Sequence, residues 1–304
     1  MIKYVDDFKD YEVLDSGDME KIERFGEYIL RRPDPQAIWH SENFKKYKIN
    51  AIYHRSKTGG GSWEFFDLPK KWTISYNLDK DVKMQFNLKP FTFKHTGIFP
   101  EQAVNWEFIY NFCKARAKDG ASPKVLNLFA YTGAASMAAA LGGAKVTHVD
   151  AAKGILTWAK ENTTLSKIKE DRIRWILDDC KKFVEREIRR GSIYDGIIMD
   201  PPSYGRGPSG EVWKLENAIY DFVALTFKLL NKFVGTTRFE RVIQLPKSCV
   251  FPLHHAPKLC APIRIKENTQ RRTNSPSRAY GESGTTLQLI TECFSYTFSL
   301  VAVF

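Results

Sequence analysis

Cysteine is scarce in this chain, and what there is does not pair. The five residues (Cys113, Cys180, Cys249, Cys260, Cys293) are odd in number and widely spaced, and no C-x-x-C occurs. Neither a zinc site nor a disulfide framework is expected, and a reducing cytoplasm is the natural home. Long apolar runs are missing as well. No stretch of about 18 such residues exists, and residues 1–30 are charged without an apolar segment. A membrane span and a signal peptide are therefore not expected. Internal repeats and low-complexity tracts are also absent from the sequence, which argues against a solenoid.

What is present is an ordinary globular composition, 43% hydrophobic and 27% charged over 304 residues. That length holds a full domain and a smaller companion. The net charge of +11 is compatible with a phosphate-rich partner, but it is diffuse. Residues 1–88 balance 15 basic against 15 acidic side chains, 89–230 carry 21 against 16, and the remainder 10 against 4.

One further shortage decides more than these. The stretch Lys124 to Asp150 reads as a buried strand (Val125 to Phe129), a turn at Tyr131-Thr132-Gly133, an Ala-rich helix (Ala134 to Leu141) and a second strand ending on Asp150. Its turn has one glycine where a dinucleotide site wants three, with bulky side chains where amides should meet a pyrophosphate. The acid 17 residues after Gly133 nevertheless suits a ribose hydroxyl pair. A ligand with a ribose and no phosphate fits, and S-adenosylmethionine is such a ligand. Two more strands end on acids: Arg172 to Leu177 on Asp178-Asp179, and Tyr194 to Met199 on Asp200, which Pro201-Pro202-Ser203-Tyr204 follows.

Five words carry a resemblance: FKHTGIFPEQ (Phe93 to Gln102), NLFAYTG (Asn127 to Gly133), HVDAAK (His148 to Lys153), WAKEN (Trp158 to Asn162) and DPPSYGRGP (Asp200 to Pro208). With them the chain resembles class I S-adenosylmethionine-dependent methyltransferases, in the branch of bacterial ribosomal-RNA large-subunit methyltransferases, over roughly residues 5–230. The resemblance is specific for the cofactor and much less so for the substrate. It implies an α/β, Rossmann-like sheet, with Phe129, Tyr131, Thr132, Gly133 and Asp150 around the cofactor. It also implies an acid that hydrogen-bonds the adenine amino group, by register Asp179, with Asp178 the open neighbour. The turn-rich lead His95 to Gln102 can close over the methionine end, with Phe99 as apolar wall and Gln102 as polar partner.

Methyl transfer from a sulfonium asks little covalent help of a protein, only an in-line nucleophile about 3 Å away in a dry site. Asp200 with the carbonyls projected by Pro201 and Pro202 can accept hydrogen bonds from an exocyclic amine. Tyr204 can stack on a flipped base. Ser203 displaces that aromatic by one position from the family's amino-methyltransferase pattern, which weakens transfer of a particular target nitrogen. The rival chemistry, methylation of cytosine C5, needs a nucleophilic cysteine; Cys249 is the candidate, in a surrounding that is not the relatives' motif.

The chain divides at about residue 88. Residues 1–88 hold a charged amphipathic stretch (Asp18 to Arg31) and short aromatic strands at Ala51 to His54, Ser62 to Phe66 and Trp72 to Asn77, a small β-rich domain. Trp63, Phe65, Phe66, Trp72 and Tyr76 read as its core in preference to a platform for bases. Residues 89–304 form the methyltransferase domain, in which 231–304 is atypical and strand periodicity returns only at Thr285 to Ile290 and Phe294 to Phe304. The reading is a cytoplasmic methyltransferase acting on a base nitrogen of RNA, ribosomal RNA first. An RNA-binding protein with an inactive methyltransferase domain, a cytosine-C5 enzyme and a nicotinamide-dependent oxidoreductase remain alternatives.

Overall fold

Tyr11 to Pro33 mixes charged residues with β-branched, aromatic and other apolar ones, and Gly17 and Gly26 break it into short strands. The computed structural model describes residues 7–56, 60–91, 94–117, 120–206, 212–231, 242–244 and 300–303. Strands β1 (Tyr11–Gly17), β2 (Glu20–Phe25) and β3 (Tyr28–Pro33) form an antiparallel meander. The amphipathic stretch Asp18 to Arg31 is thus mainly the β2–β3 hairpin, whose two-residue turn uses Gly26 at φ +65°. Strand β4 (Ala51–Arg55) pairs parallel to β3, and β5 (Gly61–Phe65) pairs antiparallel to β4, completing a five-stranded sheet.

A separate hairpin follows, β6 (Trp72–Asp79) and β7 (Val82–Leu88). Its buried residues alternate, Trp72, Ile74 and Tyr76 on one strand and Met84, Phe86 and Leu88 on the other. The sequence reading found β6 and missed β7, because the Lys83, Gln85 and Asn87 between the apolar residues mask a strand whose one β-branched residue is Val82 at its start. Trp72 and Tyr76 are core as expected. Phe65 and Phe66 are not: they are 55% and 57% exposed, because β5 is the edge strand of its sheet, and Trp63 is only partly buried.

The second layer begins with α1 (Ala103–Ala117) after a short 3-10 turn at Pro100–Gln102. Then β8 (Lys124–Leu128), α2 (Ala134–Leu141), β9 (Lys145–Asp150), α3 (Lys153–Leu165), β10 (Ile173–Leu177), α4 (Cys180–Arg189) and β11 (Gly196–Met199) alternate. Such alternation makes parallel strands with helical crossovers. The order is β10-β9-β8-β11, all parallel, the expected α/β arrangement. Strands β8, β9 and β11 are almost fully buried, as a sheet covered on both faces requires, while the edge strand β10 is partly exposed. One core cluster joins α1, α2 and the β6–β7 hairpin on one face, and another gathers residues of α4 and of the helix Leu215–Thr226 on the other. The hairpin therefore belongs physically to the core of the catalytic layer.

After β11 come a small hairpin, β12 (Tyr204–Arg206) with β13 (Val212–Lys214), and helix α5 (Leu215–Thr226). Two strands from the atypical end extend the main sheet: β14 (Val242–Gln244) and β15 (Leu300–Val303), with β15 antiparallel to both β11 and β14. The Phe294 to Phe304 strand is present in part; Thr285 to Ile290, Cys249, Cys260 and Cys293 lie outside the described residues.

Candidate active site

The site grows from the carboxyl end of β8. Phe129, Tyr131 and Gly133 all have left-handed backbones, with φ of +54°, +48° and +92°. Two non-glycine residues so close together at positive φ store strain of the kind that collects at functional turns, roughly 1–3 kcal/mol each. Three bonds hold it: Ala130 N–H donates to the Val149 carbonyl (3.1 Å), Gly133 N–H to the Ala130 carbonyl (3.1 Å), and Tyr131 N–H to Asp150 Oδ2 (2.9 Å). A side chain on Gly133 would sit 3.2 Å from the Ala159 Cβ, on a backbone that L residues avoid.

Asp150 is the hinge pin of this arrangement. Its second oxygen accepts from Ala152 N–H (2.9 Å), and burial raises its pKa above the ordinary carboxylate value against the pull of these amides. Each oxygen keeps a lone pair, so the carboxylate can take hydroxyl donors as well.

Over the turn lies the lead segment. Thr132 Oγ1 donates to the Gly97 carbonyl (2.6 Å), and the Phe99 ring packs 5.3 Å from Tyr131 and 5.3 Å from His95. Gly97 has φ +100°, and a Cβ there would lie 2.1 Å from Trp158 Cζ2, so this approach is open to glycine alone. A cavity results, lined by Ile98, Phe99, Gln102 and Trp106 above, Phe129 to Ala135 below, and Ile198 and Asp200 at its end. Asn105, which the sequence reading missed, lines it too. Gln102 Oε1 accepts from Asn105 Nδ2 (2.7 Å), while Gln102 Nε2 and Asn105 Oδ1 are buried with no partner. An orphaned donor beside an orphaned acceptor is costly and fits a ligand with an ammonium and a carboxylate. The available signal was the Gln102–Asn105 spacing of three on a helical start.

The cavity thus gathers Phe99, Gln102, Phe129, Tyr131, Thr132, Gly133 and Asp200. It leaves Asp150 just outside, joined through Tyr131. Asp178 and Asp179 stand beyond it, next to Asp150 across the β9–β10 pairing. Asp178 accepts from Asp179 N–H (2.8 Å) and pairs with Arg186. Asp179 is the N-cap of α4, accepting from Lys182 N–H (2.9 Å).

At the β11 end, Pro201 is buried and Pro202 exposed. The Pro202 carbonyl, a candidate acceptor for substrate, takes the Trp213 indole N–H instead (2.6 Å). Trp213 packs 5.2 Å from Phe129 and 5.5 Å from Phe222, joining the Asp200 end to the turn. Tyr204 is 51% exposed on the β12–β13 hairpin and does not line the cavity. No group of three or more His, Cys, Asp or Glu among the described residues can hold a metal, and none of the described helices is long and apolar enough to cross a membrane.

The profile of the S-adenosylmethionine-dependent methyltransferases matches residues 76–214. A crystal structure of the SAM-dependent methyltransferase from Agrobacterium tumefaciens is 39% identical, covering 76% of this chain and 72% of that one at a TM-score of 0.69. The structure of SMU.776 complexed with SAH, 21% identical with a TM-score of 0.56 over 74% of this chain and 60% of its own, shares the fold. Curated relatives include the ribosomal RNA large subunit methyltransferase K/L of Pseudoalteromonas translucida, 39% identical over 40% of this chain, and that of Shewanella sediminis, 31% over 62%. The alignments span only 16% and 26% of those two relatives' lengths. Sequence, sheet and cleft converge: the chain belongs to the S-adenosylmethionine-dependent methyltransferase family.

Proposed function

We propose that the cleft binds S-adenosylmethionine and that the chain methylates a base nitrogen of RNA, ribosomal RNA being the first candidate. One observation carries the reading: the strand-end Asp200 closes the same cavity whose roof is Phe99 and Gln102 and whose floor is the Gly133 turn. When bound, the cofactor supplies an electrophilic methyl group. Gln102 and Asn105 would hold its amino-acid end through their orphaned atoms, and Asp150 its ribose hydroxyls. The Phe129, Tyr131 and Thr132 turn would pack against it. Asp179, or Asp178, would meet the adenine amino group, with only the oxygen not spent on capping or pairing. Asp200 and the Pro201 carbonyl would orient the amine nucleophile and take a hydrogen bond as its charge develops, while Tyr204, exposed on the β12–β13 hairpin, stacks on the base.

RNA as partner is supported by the +11 charge, by the exposed Phe65 and Phe66, which offer ring faces for stacking, and by the relatives' name. A cytoplasmic location and a division of the chain near residue 88, with the β6–β7 hairpin reaching across it into the catalytic core, belong to the same proposal. The cysteine mechanism has no support among the described residues: burial pushes the Cys113 thiol up to about 12 and raises the Cys180 thiol well above its ordinary value, so neither is a nucleophile.

The test is tritium transfer from labelled cofactor into total RNA. Wild type should label RNA, and Asp200→Ala should lower single-turnover transfer by about one to three orders of magnitude while changing cofactor affinity less than about tenfold. RNA binding without any labelling would leave an inactive domain as the answer. Native-rate transfer by the variant would remove Asp200 from the chemistry.

A further inference from the structure

The N-terminal sheet reaches into the roof of the cofactor cleft through one buried ion pair. Arg32 on β3 and Glu23 on β2 are both buried, and the guanidinium grips the carboxylate with two bonds, Nε to Oε2 (2.7 Å) and Nη2 to Oε1 (2.8 Å). Tyr11 on β1 donates its hydroxyl to Glu23 Oε1 (2.8 Å), and Lys21 lies 3.1 Å from the same oxygen. Burial alone would raise the Glu23 pKa, but the Arg32 and Lys21 charges outweigh it and hold the group at about 2.

The remaining arm of Arg32 leaves this sheet. Nη1 donates to the Lys94 carbonyl (2.8 Å), and Lys94 Nζ answers by donating to the Pro33 carbonyl (2.9 Å). Lys94 opens the segment that runs through Gly97, Phe99 and Gln102. Downstream, that segment is tied by the Thr132 bond to Gly97 and by the tight fit of Gly97 on Trp158. Upstream, it is tied by Lys89 N–H to Thr96 (3.2 Å), Phe91 N–H to His95 (3.0 Å) and Arg32. An Arg whose fork is spent on one carboxylate and whose last arm holds a carbonyl 62 residues away is built to fix geometry, not merely to neutralise charge.

We infer that Arg32 is a positioning residue of the cofactor site: it anchors the 94–102 segment, so that the five-stranded N-terminal sheet completes a cleft built on the other sheet. The inference rests on the proposed cofactor reading, through which alone the roof has a ligand to cover. It predicts that loosening Arg32 weakens the ligand without touching any residue of the cleft.

The direct variant, Arg32→Met, strands a buried carboxylate, so the pair is changed together as Glu23→Gln with Arg32→Met. Arg32→Lys serves as a milder second variant, because one ammonium reaches either Glu23 or the Lys94 carbonyl but does not reproduce the fork. Full-length proteins are compared by calorimetric titration with S-adenosylhomocysteine and by hydrogen exchange without ligand, at a temperature where circular dichroism shows each folded. The expected result is affinity lowered by about tenfold, one charge-assisted hydrogen bond's worth. Faster exchange at the amides of 94–102 should accompany it, with unchanged exchange in β8 and β9. A purely structural role would lower melting temperature and leave both readouts alone. Native affinity and native exchange in either folded variant overturns the inference. If wild type itself binds no S-adenosylhomocysteine, the cofactor reading fails, and exchange at 94–102 still decides whether Arg32 anchors the segment.

Discussion

Asp150 shows how much one side chain does here. It accepts from two backbone amides, of Tyr131 and Ala152, and so joins the tip of β9 to the strained turn after β8. Replacing it with alanine removes the hydroxyl acceptor of the proposed ribose site and loosens that turn. Asp150→Ala should weaken S-adenosylhomocysteine binding by about 1.5–3 kcal/mol, the range for hydrogen bonds to a charged group, read by calorimetry. Unchanged affinity would take the ribose away from Asp150.

At the scale of elements, the informative one is α4. Its first turn is capped by Asp179, the same residue that the family register assigns to adenine. Both roles make use of the same carboxylate, and they separate experimentally. As a cap, Asp179 is worth ~1 kcal/mol of stability. Asp179→Asn retains a capping oxygen at small cost but presents an amide where adenine's amino group needs an acceptor. Asp179→Asn is therefore expected to keep the urea midpoint of wild type and to bind S-adenosylhomocysteine at least several-fold more weakly. A variant that loses stability and keeps affinity marks a cap only, and then Asp178, held by Arg186, is the adenine residue to test.

For the whole molecule, the buried ionisable groups set the response to acid. His148 is fully buried, donor or acceptor to Ser136 at 3.0 Å, and burial lowers its pKa to about 3 from 6.5. A histidine depressed in the folded state gives stability that is complete above pH 6.5 and is lost as pH falls toward 3, because only the unfolded chain takes the proton. Glu23 is depressed from 4.5 to about 2, so its contribution is complete above pH 4.5 and fades below. Stability should therefore decline in two stages from pH 6.5 downward, His148 accounting for a loss of ~3 kcal/mol by pH 4. Burial also lowers His95 to about 4, so it shares the upper stage; urea midpoints across pH 3–7 check this, with His148→Gln making the upper stage shallower and Glu23→Gln the lower. A wild-type midpoint constant from pH 6.5 to 4 would contradict it.

The sequence by itself determined the parts of this protein that are local. The strand–turn–helix–strand unit from Lys124 to Asp150, the single glycine that suits a ribose without a phosphate, and the acids at strand ends all depend on spacings shorter than about thirty residues. Periodicity and turn chemistry report such spacings faithfully. Boundaries shifted by a residue or two, and β7 escaped because Lys83, Gln85 and Asn87 interrupt its apolar residues, of which only Val82 is β-branched. What only the tertiary structure decided are relations between distant segments. Asn105 became a cleft residue because α1 packs against α2, which brings its first turn over the Phe129 to Ala135 stretch; the Pro202 carbonyl was taken by Trp213 because β13 folds back on it; Asp179 was drawn into a cap by the start of α4. Phe65 and Phe66 left the core because β5 had no further neighbour. Arg32 met Lys94 across two sheets. A sequence states which groups are available, but which donor reaches which acceptor is settled by packing, since a hydrogen bond needs both ends within about 3 Å.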